Sequence, residues 1–156
     1  MSIITEGMVQ EAINLVRPAA QAILKTKGLT WGPKWVDGMI SIPGSASPIL
    51  FIFGKLTKWE PGWGEEISFV SIAKLKLSTA RHEKANTSAV VANRPWALSS
   101  GNYLYAGGAY RDGIAVGVSG AYGWVDEAIA TMIIDAIVML AHLETDKRIA
   151  AKQMQI

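Results

Sequence analysis

A chain of 156 residues and 16.8 kDa is long enough for one domain with a full core; half of it is apolar and 18% is charged, which excludes intrinsic disorder. Fifteen Lys and Arg against thirteen Asp and Glu leave a formal charge of +2, too small and too dispersed an excess for nucleic-acid binding. Cysteine is absent, which excludes disulfides, thiolate metal sites and a thiol nucleophile, and fits a reducing compartment.

In chain order, the opening Met-Ser with acidic Glu6 lacks the basic start and apolar run of a signal peptide. Thr5 is placed to cap a first helix in which Val9, Ala12, Ile13, Val16, Ala20, Ile23 and Leu24 recur at helical spacing, with Pro18 inside it and Lys25, Lys27 and Gly28 as the stop. Trp35 to Ile42 and Ile49 to Phe53 read as two strands of an antiparallel hairpin joined by the turn Pro43 to Pro48. A loop over Lys55 to Gly64 carries Trp59 and Trp63, and a second helix runs from Glu65-Glu66 to about Lys84 with Ser71, Lys74, Ser78 and Arg81 as its polar stripe. A long loop follows, then a strand at Tyr103 to Ala106, turn signals at Gly107-Gly108 and Arg111-Asp112-Gly113, and a strand at Ile114 to Val118. The last helix carries Ile129, Ile133, Ile137 and Leu140 on one face and Thr131, Asp135 and His142 on the other, and its tail after Glu144 is expected to fray. The apolar stretch Ala128 to Leu143 is interrupted by Asp135 and too short to span a bilayer. Short links between strands favour an antiparallel sheet, so the expectation is a single α+β domain over residues 1–156, cytoplasmic, with no membrane or nucleic-acid partner.

Two places stand out for chemistry. Lys76 points away from the polar stripe of its helix, onto a face with Phe69, Ile72, Ala73, Thr79 and Ala80, where an unpaired ammonium is costly. It needs a partner or a wet pocket, or it snorkels past the sheet edge to solvent. The stretch Gly117-Val-Ser-Gly-Ala-Tyr-Gly-Trp-Val-Asp126-Glu127 passes from a strand through a glycine turn into a helix, a junction whose free N–H groups suit an anion, with Ser119 adding a hydroxyl. Asp126 and Glu127 also serve there as helix-capping acids. His82 and His142 lie in no two-ligand pattern, so a metal site is not expected; either has the chemistry to ligate haem iron, and His82 also suits a helix C-terminus. Trp31, Trp35, Trp59 and Trp63 wall a flat apolar pocket, bury a subunit contact, or pack into the core.

Lys76-Leu-Ser-Thr79-Ala80 is similar to a K-A-x-T-A helix motif, and Gly107-Gly108, Gly113, Gly117-Val-Ser119-Gly120 and Asp126-Glu127-Ala128 follow in the order GG, G, GVSG, DE-x-A. Together these resemble the GlcG/HbpS family, which includes the C-terminal domain of PduO; the match spans roughly Ile67 to Ala141. The resemblance implies a profilin-like α+β domain with a five-stranded antiparallel sheet, homo-oligomers, and an association with haem binding or degradation and with operons for glycolate or propanediol use. It also implies that Lys76, Thr79, Gly107, Gly108, Gly117, Ser119, Gly120 and Asp126 line a pocket. Tyr110 stands where the family has proline, Ser41-Ile42-Pro43 replaces its Val-Asp before a glycine turn, and the tryptophan loop is longer.

Two functions follow as expectations. One is a small-molecule-binding protein, with haem as the possible cofactor, His82 or another side chain at the iron, and Lys76 with the N–H groups near Ser119 at the propionates. The other is a small cofactor-independent enzyme for an apolar organic acid or enone, in which the Ser119 junction holds the anion and Lys76 or Asp126 moves a proton.

Overall fold

The computed structural model describes residues 2–56, 68–99, 101–102 and 104–153. Its elements are α1 (Glu6–Lys25), β1 (Trp35–Ser41), β2 (Ile49–Gly54), α2 (Phe69–Glu83), α3 (Thr87–Asn93), a 3-10 turn (Pro95–Ala97), β3 (Gly108–Arg111), β4 (Ile114–Ser119) and α4 (Gly123–Ala150). The four described strands form one antiparallel sheet in the order β2-β1-β4-β3, so the fold is α+β with helices on both faces.

Strand alternation sorts the side chains between those faces. Val36, Ile40, Phe53, Val116 and Val118 face α1 and α4 and close the main apolar core with Val9, Ile13, Ile129, Ile133 and Ile137. Each such side chain contributes about 1.5–3 kcal/mol on full burial. On the opposite face Asp37, Met39 and Ser41 of β1 stand beside Ser119, Gly117 and Ala115 of β4, and α2 lies across β4, β1 and β3. The caps follow local chemistry: the Thr5 hydroxyl accepts from the Met8 N–H at 3.3 Å to start α1, and the Ser68 hydroxyl accepts from the Ser71 N–H at 3.4 Å to start α2.

Several expectations are corrected. The second helix begins at Phe69, and Glu65 and Glu66 lie outside the described residues, as do Trp59, Trp63 and Tyr103. The long loop contains α3 and a 3-10 turn, too short to show a period in sequence; left-handed Lys84 (φ 50°) ends α2 before them. The third strand is Gly108–Arg111, and residues 104–106 are not strand; Gly108 is a strand glycine set against the Lys76 carbonyl, not a turn glycine. The charged tail stays helical to Ala150, helped by the Arg148–Glu144 pair at 2.8 Å. Four strands are described where five were expected. The apolar stretch judged too short to span a bilayer lies in α4, which by length and composition alone is long enough, and whose inward side packs on α1, β3 and β4.

Candidate functional site

Phe69, Ala73, Lys76, Leu77, Thr79 and Ala80 form the buried side of α2, and this places Lys76 over the β3–β4 end of the sheet. Its ammonium donates to the Val118 carbonyl at 3.1 Å and to Asp126 Oδ2 at 3.2 Å. The pair is sealed, with Lys76 5% and Asp126 1% exposed. Gly107 makes room for it, since a Cβ there would stand 2.6 Å from the ammonium and 2.7 Å from the Val118 oxygen, at a φ of +134° that few other residues adopt.

Asp126 sits in the first turn of α4, and its Oδ1 accepts from the Ala121 N–H at 3.0 Å. Burial pushes its carboxyl up from 3.8 to about 7, outweighing the Lys76 ammonium and the backbone N–H groups of Ala121 and Gly120, which pull it down. The anion expected at the glycine turn is therefore the chain's own Asp126. The Val118 N–H is likewise engaged, donating to the Gly107 carbonyl at 2.8 Å. The Lys76–Asp126 pair thus lies between the Lys76 helix and the Gly117–Gly123 turn, where the pocket was expected.

The glycines of the turn serve close packing. A Cβ on Gly117 would strike the Ala73 carbonyl oxygen and come 2.7 Å from the Leu77 nitrogen, so α2 rests directly on the β4 backbone. Gly120, at φ +140°, backs onto the Trp35 carbonyl oxygen and the Val36 Cα. Gly108 meets Thr87, whose hydroxyl accepts from the Gly108 N–H at 2.9 Å. Ser119 is buried beside Asp37 on the α2 face.

Thr79 and His82 belong to a different place. One turn beyond Lys76 a cleft of about 180 Å³ opens between the end of α2 and the turn after α3, lined by Ser78, Thr79, His82, Glu83, Ala97, Ser99 and Asn102. The His82 Nδ1 lies 3.0 Å from Glu83 Oε1, and Arg94 fixes Glu83 from the other side, 3.3 Å from Oε2 and donating to its carbonyl at 3.0 Å. Sequence reasoning missed Glu83, Ser99 and Asn102; the only signal was the proximity of Glu83 to His82. Glu127, expected as a cap of its own helix, instead caps α3, accepting from the Ser88 N–H at 2.9 Å.

The surroundings of His82 do not fit a haem. Its side chain is 83% exposed, one ring nitrogen is held on Glu83, and the cleft is walled by hydroxyl, amide and carboxylate groups instead of two apolar faces. Among the described residues no three His, Cys, Asp or Glu side chains converge on a metal position.

This arrangement of elements has a counterpart among solved structures. Klebsiella pneumoniae protein ORFY, of family DUF336, aligns over 86% of this chain and 90% of its own with a TM-score of 0.55 and 19% identity. The two chains share a fold. No family model matches the chain, and no curated protein matches it significantly.

Proposed function

We propose that this chain is a small-molecule-binding protein of the GlcG-like kind, and that its ligand is a small polar molecule seated in the cleft beside Thr79 and His82. The observation that carries the reading is the convergence of hydroxyl, amide, imidazole and carboxylate groups on one open concavity, with the imidazole oriented by a carboxylate that Arg94 holds in place. A ligand rich in hydroxyl or carboxylate oxygens matches those donors and acceptors. The alternative, a cofactor-independent enzyme using Lys76, Ser119 and Asp126, takes its support from the near-neutral titration of Asp126. It is the weaker reading, because a substrate reaches that carboxyl only if α2 and the turn separate.

The test is saturation-transfer NMR with a panel of small polyols and hydroxy acids on the wild type and on Ser78→Phe, which fills the cleft from its exposed rim. The reading expects at least one binder whose signal disappears in the variant. Binding that survives Ser78→Phe, or a panel with no binder, overturns it. A hemin titration giving a coordinated Soret band that is lost in His82→Ala would return haem to the site.

A further inference from the structure

On the α2 face of the sheet, beyond the end of the sealed pair, Asp37 is only 8% exposed in the middle of β1. Among the described residues no lysine, arginine or histidine pairs with it. Burial raises its carboxyl above the ordinary value, offset only in part by the Trp35 side chain. A buried carboxylate without a cation is an expensive feature to keep for packing alone.

Its setting gives the reason. Register puts Ser119 of β4 directly opposite Asp37 on one side and Ile52 of β2 on the other. α2 covers β4 and β1, and its path leaves the same face of β2 open: Ile52 is 45% and Leu50 57% exposed. Trp35, on the same face two residues before Asp37, packs its ring against Phe69 at 5.4 Å between centroids. A shelf results, with the Asp37 carboxylate at its inner edge beside buried Ser119 and Trp35, and an apolar floor of Ile52 and Leu50 running outward.

We propose that this shelf binds a small organic cation, an amine with an apolar body, whose ammonium pairs with Asp37 while its hydrocarbon part lies on Ile52 and Leu50. The carboxylate supplies the charge opposite to the ammonium, and the exposed Ile52 and Leu50 side chains cover the apolar body of the amine. A carboxylate discriminates an ammonium from a neutral group of the same shape. This shelf is separate from the Thr79–His82 cleft and stands or falls without it.

The probe is benzylamine hydrochloride, with benzyl alcohol as its neutral isostere, each titrated into the full chain while the Trp35 indole and Ser119 amide are followed by NMR. The expected result is saturable benzylamine binding that shifts both signals and is about tenfold or more tighter than benzyl alcohol, the discrimination being lost in Asp37→Asn with the melting temperature held or raised. A second variant guards against misfolding. Ile52→Lys places an ammonium opposite Asp37 from an exposed position, and it should raise the melting temperature and block benzylamine. Equal binding of the two probes, no saturation in the wild type, or unchanged benzylamine affinity in Asp37→Asn overturns the proposal. So does light scattering that shows a dimer together with concentration-dependent shifts at Leu50 and Ile52, since a second copy would then be the occupant.

Discussion

On the side of the sheet covered by α1 and α4, the buried strand residues are Val36, Ile40, Phe51, Phe53, Ala109, Ile114, Val116 and Val118, and no charged side chain is buried among them in the described residues. On the α2 side the same strands bury Asp37, Ser41 and Ser119, and α2 adds Lys76 and Thr79. The first face spends its contacts on packing alone. The second combines close backbone approach, at Gly117 and Gly108, with polar groups that must be paired, solvated or held for a ligand. The difference locates chemistry: three features of interest, the sealed pair, the cleft and the shelf, lie along α2, and none lies along α1.

The comparison is sharpest at Asp126. Asp126→Ala leaves the Lys76 ammonium buried with only the Val118 carbonyl and should cost about 3–5 kcal/mol in urea unfolding, whereas Lys76→Met with Asp126→Leu should recover most of that loss. If the single variant is nearly neutral, the α2 face is as passive as the other. Gly117→Ala comes next, at about 3 kcal/mol, because the added methyl drives α2 off β4; Ala109→Gly, a buried position on the opposite face, should cost no more than about 1 kcal/mol. Equal losses would remove the distinction between a backbone contact and an apolar one.

Titration gives a third test. Asp126 titrates near 3.8 when unfolded and at about 7 when folded, so folding takes up a proton between those values. Its contribution to stability is complete below pH 3.8 and is lost as pH rises through about 7. Asp37, also raised, acts in the same sense from the same face. Urea midpoints should therefore fall with rising pH in the wild type over that window, and Asp126→Asn should flatten the fall. A slope that is unchanged in the variant assigns the pH dependence elsewhere. The smallest effect is expected from Glu127→Ala, which frees the Ser88 N–H at the start of α3 and should cost about 1 kcal/mol, read as faster amide exchange over Thr87–Asn93.

Much of this architecture was legible in the chain. The period of Val9 to Leu24, the two apolar runs around the Pro43–Pro48 turn, and the long apolar face of α4 follow from local repetition, which needs no knowledge of neighbours. The position of Lys76 on an apolar face was legible for the same reason, and left a partner, a wet pocket or a snorkelling stem open. Which partner it takes was settled by tertiary structure: Asp126 is fifty residues away in sequence and reaches Lys76 because β4 delivers the α4 N-terminus to the middle of α2. The glycine turn reads in sequence as an anion site because free N–H groups and an approaching helix dipole are local properties. Whether that site is open depends on a side chain folding back into it. The same limit applies to Gly108, a turn residue by composition and a strand residue in fact, since only the packed α2 backbone shows why a side chain there is excluded. Periodicity and residue chemistry are carried by the chain itself, but burial, pairing and the emptiness of a pocket belong to groups distant in sequence, and only the packed fold determines them.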